Sequence, residues 1–427
     1  MLTFYRLLTV LGEPFIRLYL ICRLSQGKEP KYRFSERLGV SNILRPKGGL
    51  VWLHGASIGE SLSMLPVIEQ INKEFPSLNF LVTTGTVSSA EVVKTKLPVN
   101  AIHQFMPVDR PIGVERFLNY WRPDIALWWE SEFWPNTLSQ AKARGIPIVL
   151  MNGRISLRSY DFWKRCPLMI KEILSGFRIC FTQTYVDAER LTCLGATKVE
   201  CLGNLKLASP QLLVDEKEFS RVAEAFSLRP CWLAASTHPG EEEIIWHVHQ
   251  LLEKKFTNLI TTIIPRHPER GCRIAEDLNG QGASVLLRSK NGKISSSTQI
   301  YIADTLGEMG IFFRLSPVVF MGKSLTVKGG QNPIEPARFG CAILAGPHME
   351  NFTEIVDKLK EIDILSEVKD AHTLASAIEK NLDNPLFQKK AVNNAEKVAS
   401  IEAEILERVM LRLRPFFEQV PNPVKSI

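Results

Sequence analysis

The sequence predicts an α/β protein with two doubly wound domains, and two observations support that prediction. Apolar runs of strand length alternate with longer amphipathic stretches over residues 50–184 and again over residues 231–346, with a charged stretch between the two series. The length of 427 residues also suits two cores, because a single hydrophobic core stops growing near roughly 250 residues. We therefore expect domains at residues 41–205 and 230–427, joined by a hinge at residues 206–229.

The apolar runs are interpreted as buried parallel strands. In the first series they are LVWLH (50–54), NFLVTTG (79–85), DIALWWE (124–130), IPIVLMNG (146–153) and RICFTQT (178–184). In the second they are CWLAAS (231–236), NLITTIIP (258–265), QIYIAD (299–304), PVVFMG (317–322) and CAILAG (341–346), with helices expected over about 370–414. Open parallel sheets bind ligands beyond the carboxyl ends of their strands. Two such domains facing an interdomain cleft would therefore carry their chemistry in the loops that follow strands.

Residues 1–24 are apolar, but charged residues and Pro14 interrupt them. The segment is too polar for a secure transmembrane helix, and no small-residue cleavage site follows it. The basic residues that come next suit an anionic cytoplasmic leaflet; they are Arg23, Lys28, Lys31, Arg33 and Arg37. We predict a membrane anchor or interfacial helix with a basic flank over residues 1–40, and the globular part in the cytoplasm. The alternative is an amphipathic helix that packs on the first domain.

Composition and motifs limit the chemistry. The net charge of +7 and a pI near 8.9 favour anionic partners, whether nucleic acid, phosphorylated ligands or acidic lipid. The eight cysteines form no CxxC or CxxH pair, which indicates neither a zinc site nor a disulfide framework. No His/Asp/Glu cluster has metal-ligand spacing, and no GxGxxG or Walker loop is present. We therefore expect no metal and no cofactor.

The loop HGASIGE, residues 54–60, follows the first strand and begins a helix. Its small residues would let an anionic ligand approach the helix N-terminus. Glu60, in the first turn, could take a proton from an attacking hydroxyl or could simply cap the helix. The loop also matches the GxSxG elbow of serine hydrolases, with Ser57 as the nucleophile. Hydrolases build several strands before that elbow, so the hydrolase is the less favoured alternative.

Two further positions of the first domain are candidates. Glu130 lies at a strand end among three tryptophans, which offer a flat apolar surface to a sugar ring or a lipid. Trp128 suits packing between sheet and helix better than ligand contact. Lys206, in GNLK, could neutralise a carboxylate or a phosphate, although a solvated lysine is the commoner case.

Four loops of the second domain predict a nucleotide pocket: STHPGEEE (236–243), PRHPER (265–270), DTLGEMG (304–310) and GGQNPIEP (329–336). Arg266 and His267 supply donors suited to a phosphate. Glu335, behind two glycines at a helix start, is placed to accept hydrogen bonds from ribose hydroxyls. Each loop alone is typical of a turn or a cap, but four at successive strand ends favour a ligand site.

Taken together, these segments, with WWESEFWPN (128–136) and NGRISLRS (152–159), resemble the 3-deoxy-D-manno-octulosonic acid (Kdo) transferases of lipopolysaccharide synthesis. The resemblance covers nearly the whole chain. It implies a GT-B fold and metal-independent, inverting transfer of Kdo from CMP-Kdo to a lipid A precursor at the cytoplasmic side of the inner membrane. The implied partners are CMP-Kdo, lipid A precursor and anionic inner-membrane lipid, without nucleic acid.

The resemblance also implies roles for individual residues. Glu60 corresponds to the general base, and Glu130 and Lys206 correspond to residues that stabilise the transition state. The positions that match the CMP pocket are Pro265, Arg266, Leu306, Gly307, Glu308, Asn332, Pro333, Ile334 and Glu335. HGASIGE and GNLKLAS depart slightly from the familiar forms of their motifs, which affects acceptor detail more than reaction type. A non-catalytic nucleotide-sugar-binding membrane protein is a third possibility, in which Glu60→Ala would leave function intact.

Overall fold

The computed structural model describes residues 1–208, 212–226, 229–383 and 387–420. The chain divides into two compact units, which are Met1–Pro210 with Glu402–Ile427, and Gln211–Ile401. Within the described part of the chain, each unit is built on one seven-stranded sheet with parallel strand pairs. The prediction of an α/β protein with two doubly wound sheets is therefore confirmed.

The first unit alternates strands and helices. Its elements in chain order are α1 (Leu2–Leu11), α2 (Glu13–Ser25), a 3-10 helix (Lys31–Leu38), β1 (Leu50–His54), α3 (Ile58–Glu74), β2 (Asn79–Thr84), α4 (Val87–Lys94), β3 (Ala101–Phe105), α5 (Pro111–Trp121), β4 (Ile125–Trp129), α6 (Pro135–Ala143), β5 (Ile148–Gly153), α7 (Leu157–Lys164), α8 (Pro167–Leu174), β6 (Phe177–Thr182), α9 (Tyr185–Cys193), β7 (Val199–Cys201) and a 3-10 helix (Leu205–Ala208). The strand order β3-β2-β1-β4-β5-β6-β7 reverses direction between β1 and β4. That reversal is the switch point at which open sheets bind ligands.

The second unit repeats this architecture. Its elements are α10 (Glu216–Phe226), β8 (Cys231–Thr237), α11 (Glu241–Leu252), β9 (Ile260–Pro265), a 3-10 helix (Pro268–Arg270), α12 (Gly271–Gly280), β10 (Val285–Leu287), a 3-10 helix (Arg288–Lys290), β11 (Ile300–Ile302), α13 (Met309–Leu315), β12 (Val318–Met321), α14 (Ile334–Arg338), β13 (Ala342–Ala345), α15 (Thr353–Glu361), β14 (Leu365–Glu367), α16 (Ala371–Leu382) and α17 (Phe387–Phe417). The strand order is β10-β11-β9-β8-β12-β13-β14, so the switch point lies between β8 and β12.

Every apolar run of the sequence coincides with a strand, and the strands that sequence reasoning missed are the sheet edges. They are β3 and β7 in the first sheet and β10 and β14 in the second. Three of these have only three residues, and β3 contains the polar pair His103 and Gln104. An edge strand has a partner on one side only, so it needs less apolar sequence and gives a weaker signal.

Four helices of the first unit, α3, α4, α7 and α9, begin at hydroxyl caps. Each cap side chain accepts a hydrogen bond from the backbone N–H three residues later, which satisfies an otherwise free donor; the caps are Ser57, Thr86, Ser156 and Thr184. Between helices and sheet lies a core with several large aromatic side chains, among them Trp52, Phe117, Trp121 and Trp128. The loops after the strands are thereby held on a rigid frame.

The N-terminal helices pack on the first unit. The Tyr5 hydroxyl donates to Asp109 at 3.1 Å, the Arg6 guanidinium donates to Ser139 at 3.0 Å, and Arg110 pairs with Glu13 at 2.5 Å. These contacts are of the kind expected from the alternative prediction, in which an N-terminal amphipathic helix packs on the first domain. Within residues 1–208, 212–226, 229–383 and 387–420, no helix combines the length and the apolar content needed to cross a bilayer.

Part of the predicted basic flank has a structural role instead. The Arg37 guanidinium is buried, pairs with Glu29 at 3.0 Å and donates to the carbonyl oxygens of Gly85 and Met106. Arg33 pairs with Glu36 at 2.8 Å. These two residues do not present their charges to a lipid surface, because both guanidinium groups are engaged by protein atoms.

Two boundaries differ from those predicted. Much of the expected hinge is the helix α10, which belongs to the second unit. Its Glu216 pairs with Arg314 and its Glu218 pairs with Arg288 of that unit. Residues 209–211 and 227–228 lie outside the described residues. The end of α17 belongs to the first unit, not to the second domain. There Arg414 pairs with Glu74 at 2.7 Å, and apolar side chains of α17 such as Val409 and Leu413 are buried.

Candidate functional site

Glu60 lies in the first turn of α3, beside the switch point of the first sheet. Its carboxylate accepts hydrogen bonds from the Ala56 backbone N–H at 2.8 Å and from the Ser57 hydroxyl at 2.6 Å, while the Glu60 N–H donates to the Ser57 hydroxyl. Glu60 is therefore also a helix-cap partner, as the simpler interpretation expected. Only 6 % of the residue is exposed, and this burial, reinforced by the nearby Glu130 carboxylate, raises the pKa of Glu60.

Glu130 and Lys206 lie beside Glu60. Glu130 directly follows β4, across the switch point from β1, and adopts a left-handed backbone with φ of 54°. The Lys206 ammonium pairs with the Glu130 carboxylate at 2.5 Å. The Lys206 side chain also runs against the first turn of α3, because a Cβ on Gly59 would lie 3.6 Å from the Lys206 Cε. The first unit thus brings together all three residues that the sequence predicted as catalytic.

Two neighbours of this cluster carried no assigned role in the sequence. The Gln183 amide donates to Glu130 at 3.4 Å from the end of β6. Glu132 has a raised pKa because it is substantially buried and because the carboxylates of Glu60 and Glu130 lie near it. The signal for Glu132 was its place two residues after Glu130. The signal for Gln183 was only its position at the end of an apolar run.

The tryptophans have different fates. Trp128 and Trp129 are fully buried, and the ring of Trp128 packs edge-on against Trp52 with centroids 5.3 Å apart. The burial of Trp128 agrees with the packing role expected of it, and the expectation of a flat ligand surface is wrong for Trp129. Trp134 alone among the three remains well exposed, at 39 %.

In the second unit, the predicted pocket residues lie in loops after β9 and β11 and before α14. Arg266 is exposed directly after β9. Burial raises the pKa of Glu335, and the positive charges of Arg338 and Arg266 lower it again in part. The Asn332 amide donates to Glu335 at 3.4 Å. Pro265 precedes Arg266 as the last, buried residue of β9, and Pro333 and Ile334 are also buried, so these three help to shape the loops.

The loop of Leu306, Gly307 and Glu308 is anchored differently. Glu308 pairs with Arg288 at 2.5 Å and accepts a hydrogen bond from Thr305; the Arg288 guanidinium holds the pKa of Glu308 below its usual range. Leu306 is 84 % exposed, and Gly307 has a φ of 85°, which favours glycine. Glu308 is thus already neutralised by a protein cation.

Sequence reasoning missed the group that organises the second switch point. The fully buried Glu241 carboxylate accepts hydrogen bonds from four backbone N–H groups, which belong to His238, Lys323, Ser324 and Leu325. These bonds tie the loop after β8 to the loop after β12. The visible signal was a glutamate in the first turn of a helix after a glycine, but nothing in the sequence named the distant partners.

Sequence comparisons identify the family. The family described as 3-Deoxy-D-manno-octulosonic-acid transferase (kdotransferase) matches residues 32–209. The 3-deoxy-D-manno-octulosonic acid transferase of Rickettsia bellii is 34 % identical over 98 % of this chain and 100 % of its own length. That of Haemophilus influenzae is 31 % identical over 97 % of this chain and 99 % of its own. The chain belongs to the Kdo transferase family. It is a glycosyltransferase.

Solved structures agree on the fold. A glycosyltransferase from Rickettsia africae matches 88 % of this chain and 100 % of its own with a TM-score of 0.58 at 11 % identity. A putative UDP-N-acetylglucosamine 2-epimerase from Listeria monocytogenes matches 88 % of this chain and 98 % of its own with a TM-score of 0.60 at 13 % identity. The predicted GT-B type fold is confirmed.

The geometry of Ser57 does not favour a serine hydrolase in this Kdo transferase family member. Its hydroxyl donates to the Glu60 carboxylate. The histidine nearest to it in the sequence is His54, and Nδ1 of His54 is hydrogen-bonded to the Thr83 hydroxyl and not to Ser57. A nucleophilic serine needs a base that accepts its proton and is itself held by a third group. The GxSxG match is explained by a tight strand-to-helix turn.

Proposed function

We propose that the chain transfers Kdo from CMP-Kdo to a lipid A precursor with inversion and without a metal ion. The observation that carries the proposal is the Glu60 carboxylate, buried and fixed by Ala56 and Ser57 next to the Glu130–Lys206 pair. The raised pKa of Glu60 lies closer to neutral pH than that of an ordinary carboxyl group, which suits a general base. The relatives named above are Kdo transferases, which supports the choice of sugar.

The acceptor hydroxyl oxygen attacks the anomeric carbon of Kdo, and its proton passes to the Glu60 carboxylate. The bond from the anomeric carbon to the phosphate oxygen breaks, and CMP leaves with that electron pair. Lys206, held by Glu130, provides positive charge near the reacting atoms. The exposed Arg266 is suited to the phosphate of the donor.

We further propose that α1 and α2 attach the chain to the cytoplasmic face of the inner membrane. Their outward side chains form what we name the apolar face, composed of Phe4, Leu7, Leu8, Leu11, Phe15, Leu18 and Tyr19, each more than half exposed. Lys28 and Lys31 remain exposed beside it. A contiguous apolar surface with basic flanks suits an anionic lipid surface.

The transfer reaction is tested with purified protein, CMP-Kdo and tetraacylated lipid A precursor, with and without chelator. Mass spectrometry of the lipid is expected to reveal mass gains in whole Kdo units, equal in both conditions. Loss of acyl chains, or labelling of Ser57 by a fluorophosphonate, would favour the hydrolase instead. An unchanged lipid with folded protein would refute the proposed donor and acceptor pair, and a need for metal would refute the metal-independent mechanism.

Membrane attachment is tested with Phe15→Ser in α2 and with Val99→Ser, an exposed apolar position away from the apolar face. Flotation with vesicles containing anionic phospholipid is expected to give about tenfold weaker binding for Phe15→Ser, because burial of one Phe side chain contributes about 1.5–3 kcal/mol. Val99→Ser should bind as the unmodified chain does. Equal binding by both variants would remove the apolar face as the attachment site.

A further inference from the structure

A cavity of about 330 Å³ lies in the first unit between α2 and the loops that follow β1, β2, β3 and β4. Tyr19 and Leu20 of α2 line one side, His54 and Ala56 another, and Glu132 and Trp134 a third. Ala56 is the residue whose N–H binds the Glu60 carboxylate at 2.8 Å. The cavity therefore borders the loop that holds the proposed base.

Two guanidinium groups and three carboxylates line the cavity, and these belong to Arg23, Arg37, Glu29, Asp109 and Glu132. The Arg23 and Arg37 guanidinium groups both bind the buried Glu29 carboxylate, at 2.9 and 3.0 Å. The Asp109 carboxylate accepts hydrogen bonds from Thr137 and the Asn136 backbone. Because the carboxylates of the wall outnumber its guanidinium groups, the cavity is poorly suited to a phosphate. Its remaining wall, which includes Leu20 and Trp134, is suited to hydrocarbon.

His54 is a buried polar residue on this otherwise apolar part of the wall. It is 1 % exposed and packs on Trp128 with ring centroids 4.3 Å apart. Its Nδ1 lies 2.9 Å from the Thr83 hydroxyl oxygen. That hydroxyl accepts a hydrogen bond from the Trp52 indole N–H and donates one to the Leu53 carbonyl oxygen at 3.3 Å. We assign the single hydroxyl proton of Thr83 to the Leu53 carbonyl oxygen, and Nδ1 of His54 is then the protonated ring nitrogen.

This arrangement leaves the other ring nitrogen, Nε2, as a bare acceptor. Among the described residues Nε2 has no hydrogen-bond partner, although it is buried. Burial lowers the pKa of His54 to about 3, so the ring is neutral near pH 7 and Nε2 keeps its lone pair. A buried acceptor without a partner is unfavourable, and the two usual remedies are a water molecule or a ligand donor.

The cavity connects with the apolar face. Tyr19 and Trp134 line the cavity and are also 62 % and 39 % exposed. Tyr19 belongs to the apolar face of α1 and α2 as well. Tyr19 thus joins the cavity to the apolar face, and this placement favours a hydrocarbon chain from a lipid layer over a soluble sugar.

We propose that this cavity is a subsite for one acyl chain of the acceptor lipid, and that His54 Nε2 accepts a hydrogen bond from a hydroxyl or amide N–H group on that chain. The inference rests on the proposed lipid acceptor and adds the place where its apolar part is recognised. Holding the chain beside Ala56 positions the acceptor relative to Glu60. His54 is in this view a substrate-positioning residue.

The first test narrows the cavity. Val108→Phe adds a ring at the cavity wall, and Val99→Phe adds the same ring at a fully exposed position of the same unit. Binding of tetraacylated lipid A precursor to the full chain is measured by calorimetry without donor. Val108→Phe is expected to weaken binding at least fivefold, with Val99→Phe unchanged and CMP affinity equal in both. Equal lipid affinity in the two variants would overturn the proposal.

The second test separates the two ring nitrogens. His54→Asn can keep a donor towards Thr83 but has no atom at the Nε2 position, whereas the longer side chain of His54→Gln can place an amide oxygen there. The lipid KM is expected to rise about fivefold in His54→Asn, as for loss of one neutral hydrogen bond, and less in His54→Gln. The KM for CMP-Kdo should not change. A lipid KM within twofold of the unmodified chain in both variants would leave His54 a packing residue only.

Failure of this inference is distinguishable from failure of the proposed function. Unmodified chain that binds the lipid but transfers no Kdo would refute the function, and the binding test of Val108→Phe would still decide the subsite. If the unmodified chain transfers Kdo and Val108→Phe binds the lipid as tightly as Val99→Phe does, the subsite alone is refuted. A fully deacylated disaccharide acceptor gives a further criterion, because the subsite predicts equal affinity for it in Val108→Phe and Val99→Phe.

Discussion

The two switch points of the molecule carry a glutamate in the first turn of the helix after the first strand, and the two side chains are used differently. Glu60 in α3 accepts two hydrogen bonds and lies near Glu130 and Lys206. Glu241 in α11 accepts four backbone hydrogen bonds and is fully buried. Equivalent positions in two similar sheets thus hold a carboxylate suited to proton transfer and one that fixes loops.

The number and kind of donors explain the difference. Every backbone N–H that points at a carboxylate favours its ionised form and ties it to the main chain. Glu241 has enough donors to act as a rigid connection between two loops. Burial raises the pKa of Glu60, the like charge of Glu130 adds to this, and only two donors oppose it, so the protonated form of Glu60 is easier to reach. The same residue type is therefore structural in one unit and a candidate base in the other.

The largest expected effect is on turnover. Glu60→Gln keeps the size of the side chain and an oxygen for the Ala56 N–H, but it cannot take a proton, so kcat should fall by about 100-fold or more. Glu69→Gln, an exposed position on the same helix, is the matched control. Transfer is measured by lipid mass and CMP affinity by calorimetry. A Glu60→Gln variant with near-normal kcat would assign Glu60 to capping alone.

The corresponding change in the second unit should act on stability. Glu241→Ala removes the acceptor of four buried N–H groups and is expected to lower the free energy of unfolding by about 3 kcal/mol, as for loss of hydrogen bonds to a charged group. Urea unfolding of the full chain measures it. Glu243→Ala, exposed in the same helical turn, should change stability by less than about 0.5 kcal/mol. Equal stability of the two variants would contradict the structural role of Glu241.

The contrast between the two glutamates also indicates what a sequence can predict. The inner strands and the loops after them were predicted because buried parallel strands are apolar over their whole length. Glu60 and Lys206 were found because small residues and charges at strand ends are visible along the chain. Three of the four donors of Glu241 and the surroundings of His54 were not, because groups distant along the chain form them and only tertiary packing brings these groups together.

Donor binding should depend on Arg266, the exposed cation after β9. Arg266→Ala is expected to weaken CMP binding by about tenfold, since a charge-assisted hydrogen bond to phosphate would be lost. Arg273→Ala removes an arginine whose side chain is 86 % exposed in the same unit and should leave CMP affinity unchanged. Calorimetry with CMP alone is sufficient. An unchanged affinity in Arg266→Ala would place the phosphate elsewhere.

The smallest effects are shifts of the acid limb of the pH–rate profile, and they test the electrostatics around Glu60 directly. The general base must be ionised, so activity falls as the pH drops through its pKa. Glu130 raises the pKa of Glu60 and Lys206 lowers it. Glu130→Gln should therefore move the acid limb to lower pH, and Lys206→Met should move it to higher pH.

Both substitutions should also slow the reaction, so the profile and not the rate is the decisive measurement. Lys94→Met, an exposed lysine on α4, serves as the control for loss of one positive charge from the first unit. Opposite shifts for Glu130→Gln and Lys206→Met, with none for Lys94→Met, would assign the acid limb to Glu60. A shift for Glu130→Gln without one for Lys206→Met would mean that another group titrates in that limb, with Glu132 the nearest candidate because Glu130 raises its pKa as well.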